Sequence, residues 1–244
     1  MTEVSKKFKR KPEKDRVHRK IVETLGRKIV SGSISPGDML GNETTTGKSF
    51  NASRTAAREA LKILSSKGLI ASRAKVGTTV NKKSSWNLLD SQILEWRLQD
   101  PSQSAQTMAE IYEFRTALEP YAACLAAENR SEEDQLDIRL ALRGMAYHVG
   151  GKDRAKCDLA FHKAILRATK NSLFLAVGEL ISVALGHLFQ LRFEATFEED
   201  EQWLRQHRDV ADAIDKGDGQ LAQRLMKDLL DHAQKTKLQP FGYL

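Results

Sequence analysis

Val17, Ile21, Leu25, Ile29 and Val30 recur at helical spacing with Lys and Arg between them, the pattern of a helix that buries one face. Ser31-Gly32 and Pro36-Gly37 end it. A second, weaker helix is predicted from about Glu43 to Phe50, against the propensity of three threonines and Gly47. The third runs from Ser53 through Lys67, with Ala57, Ala60, Leu61 and Leu64 as its apolar stripe and Gly68 as its C-terminal cap. After Gly68 the period changes. Leu69 to Arg73 and Thr78 to Val80 read as two short strands around a tight basic loop, Ala74-Lys75-Val76-Gly77. Three helices and a basic hairpin predict a winged helix-turn-helix.

The rest of the chain is helix-periodic. Asn81 to Ser85 is a polar linker, and Trp86, Leu88, Leu89, Ile93, Leu94 and Trp96 suggest a short helix docking the two halves. Apolar stripes then occupy 105–128, 132–148, 152–170, 172–195, 199–216 and 218–237, broken at Asn129, Gly150-Gly151 and Gly217. The expected fold is mainly α, a winged helix-turn-helix followed by an all-α bundle. The expected divisions are a basic tail (1–14), a DNA-binding domain (15–82), a linker and docking helix (83–104) and an effector-binding and dimerisation domain (105–240).

Charge sharpens this division. Residues 1–85 hold 20 Lys and Arg against 7 Asp and Glu, whereas the remainder hold 19 against 25. Six basic residues lie in the tail, yet 15–85 alone still carry 14 against 5. Phosphate neutralisation needs positive charge gathered in one place, so the first domain has the balance of a nucleic-acid binder and the second that of a sensing or oligomerising partner. With 41% hydrophobic and 29% charged residues the 244-residue chain is not disordered. No run of about 18 apolar residues and no signal-like start occur, which places it in the cytoplasm, off the membrane. Cys124 and Cys157 lack CxxC spacing and read as small core residues. No βαβ alternation, glycine-rich phosphate loop or GxSxG supports a nucleotide or hydrolase site.

Polar residues on apolar stripes carry the remaining chemistry, because burying them is costly without partners. Arg115 follows Met108, Ile111 and Tyr112 and precedes Leu118, Ala122 and Leu125, so its guanidinium turns inward. It needs a carboxylate, from the bundle or from a ligand. Asp158 and His162 share a helix face; such a pair makes either a structural hydrogen bond or part of a metal site. His207, in line with Trp203, Val210, Ala211 and Ile214, adds a third donor, and the three suit a divalent metal such as zinc with open positions. His187 lies beside Leu180, Ala184 and Leu191 and reads either as a cavity residue or as a core histidine. Arg192 and Arg205 are further candidates for an anionic ligand, while His18, His148 and His232 receive no role.

The order Ile29-Val30-Ser31-Gly32, Pro36-Gly37, Leu40, Glu43, Ser53-Arg54, Arg58-Glu59-Ala60-Leu61, Leu64, Gly68-Leu69-Ile70, Arg73, Gly77-Thr78 and Val80 resembles the GntR family of bacterial transcription regulators. The resemblance implies DNA contacts from Ser53, Arg54, Thr55 and Arg58, with Lys75 and Gly77 at a wing tip near the minor groove. Gly41 stands where the family usually has proline, and Thr44 where many members carry a DNA-contacting arginine. Arg115 with Glu119-Pro120, Asp158 to His162 with Asn171, and His207 with Ala213-Ile214 and Gly217-Asp218 resemble its FCD ligand-binding domain. That resemblance implies a metal held by one aspartate and three histidines, with an arginine beside it for an organic acid. Leu229 falls where the fourth ligand is usual, so a three-ligand site completed by water or effector, or no metal at all, is expected.

These readings converge on a transcription regulator, expected to be a repressor that binds a palindromic double-stranded operator as a homodimer and is released by a small carboxylate. Trp86 to Asp90 with Ile93 to Trp96 resembles the branch governing aldonate and hexuronate catabolism, making a sugar acid the expected effector. Arg115, His187 and Arg192 are the candidate effector contacts, and Asp158, His162 and His207 the metal ligands. Two other classes compete. A metal-dependent enzyme would use the same three ligands to activate water, but it would need no basic winged half. A structural DNA-binding protein would explain the charge but not the polar residues on apolar stripes.

Overall fold

The computed structural model describes residues 13–73, 77–148, 151–190 and 197–238. The chain forms two compact units, 1–97 and 98–244.

In the first unit α1 (Glu13–Val30) lays Ile21, Val22, Leu25, Ile29 and Val30 into a core shared with Ala57, Ala60, Leu61 and Leu64 of α3 (Arg54–Ser66). The short helix α2 (Glu43–Ser49) packs against α3. Its weak propensity is offset at its start: Asn42 accepts from the backbone of Thr44 and Thr45, and Thr45 Oγ1 accepts from the Asn42 N–H, a reciprocal capping box. The turn into α3 is tight enough to require Gly47, where a Cβ would lie 2.9 Å from the Ala52 carbonyl oxygen. Gly68 ends α3 at φ +76°, with the Ser85 carbonyl oxygen 2.0 Å from where a side chain would begin.

Strands β1 (Ile70–Arg73) and β2 (Gly77–Val80) pair antiparallel, Ile70 opposite Val80 and Arg73 opposite Gly77. Asp38 and Leu40 add backbone hydrogen bonds along β2, so the segment entering α2 flanks the wing. Beyond them Asp90 caps α4 (Ser91–Gln99) through the N–H groups of Gln92 and Ile93 and pairs with Lys67 at 2.8 Å. Ile93 and Trp96 then enter the core of the first unit, and Trp86 packs against it. Much of the segment expected to link and dock the halves is thus built into this unit.

The second unit is entirely helical among its described residues: α5 (Ser104–Asn129), α6 (Glu132–Tyr147), α7 (Gly151–Ala168), α8 (Ser172–Gln190), α9 (Phe197–Lys216) and α10 (Gly219–Leu238). The apolar stripes supply the core, with Ala123, Ala126 and Ala127 of α5 beside Phe161 and Ile165 of α7, Val210 and Ile214 of α9, and Met226 and Leu230 of α10. The alanines of α5 admit α10 at close range. Cys124 and Cys157 are free thiols and only half-buried, because each sits at the margin of its helix stripe.

Candidate functional site

On the first unit, Ser53, Arg54, Thr55 and Arg58 are all exposed on the first turns of α3. Ser53 is also the helix cap, its Oγ accepting from the Ala56 N–H at 3.2 Å. Arg54 and Arg58 project one turn apart, and Arg54 Nε lies 2.9 Å from Glu43 Oε2 on α2. Gly77 opens β2 at φ +109°. Lys75, predicted at the wing tip, and residues 1–12 of the expected basic tail (1–14) lie outside the described residues, while Glu13 and Lys14 already belong to α1.

The second unit buries a polar cluster. Arg115 and Glu119 lie one turn apart on α5, Asp158 and His162 one turn apart on α7, and His207 enters from α9; all five are at most 2% exposed. Arg115 Nε donates to Glu119 Oε1 at 2.5 Å. The other oxygen of Glu119 lies 2.6 Å from His162 Nδ1, a close electrostatic contact off the hydrogen-bond direction. His162 Nε2 lies 3.3 Å from Arg115 Nη2 and 3.5 Å from Asp158 Oδ1. His207 Nε2 lies 3.1 Å from the same Asp158 oxygen, and its Nδ1 is 2.8 Å from the Trp203 carbonyl oxygen. Arg154, one turn before Asp158, stacks on the Trp203 ring at 4.5 Å.

Burial opposes charge throughout this cluster, and the partners decide the outcome. It would raise the Glu119 carboxyl, but Arg115 and His162 outweigh it and hold the group at about 2. Asp158 is held well below the ordinary carboxylate range, against burial, by its hydrogen bonds to His162 and His207. Burial pulls His162 down, but Glu119 and Asp158 carry it above the usual imidazole value. For His207 burial prevails and the imidazole is shifted toward its neutral form.

A neutral His207 has one ring proton but faces an acceptor at each nitrogen, the Trp203 carbonyl and the Asp158 carboxylate. Whichever nitrogen holds the proton, the other presents a lone pair to an oxygen. A cation beside Nε2 removes that conflict. The donor spacing fits one: metal bonds of about 2.0–2.1 Å in a tetrahedral set put ligand atoms roughly 3.3 Å apart. Asp158 Oδ1 and the two histidine nitrogens all lie within 4.8 Å of one another. Leu229 is buried in the core with Met226 and Leu230, so α10 offers no donor from that position. The residues present fit a divalent ion with three protein ligands.

The structure therefore gathers Arg115, Asp158, His162 and His207 as the stripes implied. Of the other effector candidates, the His187 side chain and Arg192 fall outside what is described, and Arg205 is an exposed partner of Glu201 at 3.6 Å. Two participants escaped assignment from sequence. Glu119 appears there only within a family motif, although its spacing from Arg115 was the available signal. Arg154 precedes Asp158 by one turn on the same face, a signal equally present.

The family models for the bacterial regulatory proteins of the gntR family and for the FCD domain match residues 18–80 and 110–232. The chain is 32% identical to the galactonate operon transcriptional repressor of Escherichia coli (strain K12), over 84% of this chain and 90% of that protein. It is 31% identical to the HTH-type transcriptional regulator LutR of Bacillus subtilis (strain 168), over 81% and 90%. Among solved structures it resembles the Lar regulator, which controls the Listeria monocytogenes agr system, with a TM-score of 0.59 at 18% identity over 95% of this chain and 99% of that one. No described helix is long and apolar enough to cross a membrane. With both family models matched in order, the chain belongs to the GntR family of bacterial regulatory proteins with an FCD domain: it is a DNA-binding transcription regulator and not an enzyme.

Proposed function

We propose that the protein is a cytoplasmic transcriptional repressor that binds a palindromic operator as a homodimer and is released when a small carboxylate, of the sugar-acid class, enters the helical unit. DNA binding falls to 15–82, with Ser53, Arg54, Thr55 and Arg58 reading bases and phosphates and Lys75 and Gly77 forming the wing tip. Effector binding and dimerisation fall to 105–240. Asp158, His162 and His207 hold a divalent metal, and Arg115 faces the effector carboxylate, with His187 and Arg192 as further contacts.

The observation that carries this reading is the convergence of two carboxylates, two imidazoles and a guanidinium at a buried point of a helical bundle, three of these groups close enough to share an ion. Such a group costs several kcal/mol to bury and brings no packing advantage over apolar side chains, so a ligand explains its presence better than stability does. A metal held by Asp158, His162 and His207 would supply a Lewis acid for a carboxylate or hydroxyl oxygen of the effector. The galactonate operon repressor, as a relative of this chain, supports an aldonate.

Calorimetric titration with a panel of sugar acids, hydroxy acids and dicarboxylic acids tests the proposal, with and without prior chelation. One acid should bind, lose binding after chelation, and lower operator affinity in a parallel anisotropy titration. An acid that binds without changing operator affinity defeats the release mechanism, and binding that survives chelation defeats the metal.

A further inference from the structure

We propose that Glu119 is a positioning residue of the helical site, its two oxygens fixing the ligand-facing nitrogen of His162 and the guanidinium of Arg115 together. This rests on the metal reading above and names a part of the site which that reading leaves out. Glu119 Oε1 takes the Nε proton of Arg115 at 2.5 Å, which anchors the guanidinium near its stem and leaves its far end toward His162 and Asp158. Glu119 Oε2 stands 2.6 Å from His162 Nδ1. Although off the ring N–H direction, a carboxylate charge that close favours a proton on Nδ1, so the lone pair of the neutral ring resides on Nε2, the nitrogen that faces Asp158 Oδ1. A histidine whose other nitrogen faces a carboxylate is the arrangement that sets tautomer and ring orientation at metal sites.

The single lone pair on Nε2 has a further consequence. Arg115 Nη2 lies against it at 3.3 Å. A metal and that N–H cannot both use it, so a metal held there would leave the far end of the guanidinium free while Glu119 keeps hold of Nε. Glu119 thereby makes Arg115 available to an effector carboxylate without letting it leave the site.

Glu119→Gln is the informative variant. The amide matches the carboxylate in shape and still offers Arg115 Nε an acceptor, but its NH2 then faces His162 Nδ1 and favours the opposite tautomer. Zinc titration of the chelator-stripped full-length protein should give a Kd 10–100-fold weaker in Glu119→Gln than in the parent, in line with losses on removing such partners. Histidine 15N NMR at alkaline pH, where the rings are neutral, should place the His162 proton on Nδ1 in the parent and on Nε2 in the variant. A Glu119 that only stabilises the fold would lower the thermal midpoint and leave the zinc Kd and the tautomer unchanged, which overturns the proposal. If the parent takes up no zinc, the metal reading fails, and the tautomer alone decides whether Glu119 orients His162. Should the variant not fold, a proton found on Nε2 in the parent overturns the proposal.

Discussion

Arg54 and Arg58 leave α3 on its exposed side, and Arg54 is 76% exposed despite its contact with Glu43. An exposed ion pair of this kind contributes little to stability, so Arg54→Ala should leave the unfolding midpoint nearly unchanged. Its effect should appear on DNA, as a loss of about 1–3 kcal/mol on a selected operator and a smaller loss on random sequence. Fluorescence anisotropy on both DNAs checks this, and equal losses would assign Arg54 to phosphate contact alone. Arg115 presents the opposite case. Its removal as Arg115→Met strands the Glu119 carboxylate in a site from which water is excluded, at a cost of about 3–5 kcal/mol in a urea titration. The inward turn of Arg115 was legible because it interrupts an apolar stripe, and Asp158, His162 and His207 were legible for the same reason. Its partner was not assigned, since any carboxylate of the bundle or of a ligand would have served, although Glu119 lies one turn further along the same face of α5.

Helix ends decide several elements that periodicity alone describes poorly. The three threonines of α2 argue against a helix by propensity, yet Thr45 is the residue that closes the capping box with Asn42. At α6 the box consists of Ser131 and Asp134, and Lys170 adds a cation to the same carboxylate. Burial would raise the Asp134 carboxyl, but Lys170 and the Ser131 N–H and hydroxyl hold it at about 2, below its usual 3.8. A depressed carboxyl stabilises the fold above its unfolded pKa, and that contribution fades as the pH falls from 3.8 through about 2. Asp134→Asn should therefore cost about 1 kcal/mol at pH 7, the usual scale for a cap, and nothing once both states of the parent are protonated. Urea midpoints of parent and variant across this range test the assignment, and a constant difference at all pH values would remove the charge from it. The helix stripes were legible because each helix buries one face. The place of Trp96 was not, because its stripe is too short to show which unit it joins, and the answer depends on Gly26, which leaves room for the indole ring.

At the scale of the whole molecule, the charge division corresponds to a division of labour between a basic unit for DNA and a helical unit whose buried cluster pairs its own charges. Neutralising several phosphates releases counterions, so operator affinity must fall steeply with salt. The buried cluster, by contrast, is shielded from bulk ions and should bind its effector with little salt dependence. These two responses allow the sites to be titrated separately in one protein. If a sugar acid releases the operator, it does so by binding the DNA-free form better than the DNA-bound form, since equal affinity shifts nothing. Linkage then fixes the reverse effect: the operator must weaken the acid by the factor with which the acid weakens the operator. With a coupling of about 1–3 kcal/mol this factor lies near 5–150. Operator affinity measured by anisotropy at saturating acid, and acid affinity measured by calorimetry with and without saturating operator, give the two factors independently. They should agree. An acid that binds free and operator-bound protein with the same Kd cannot shift the operator equilibrium, and that result would exclude release through the helical unit.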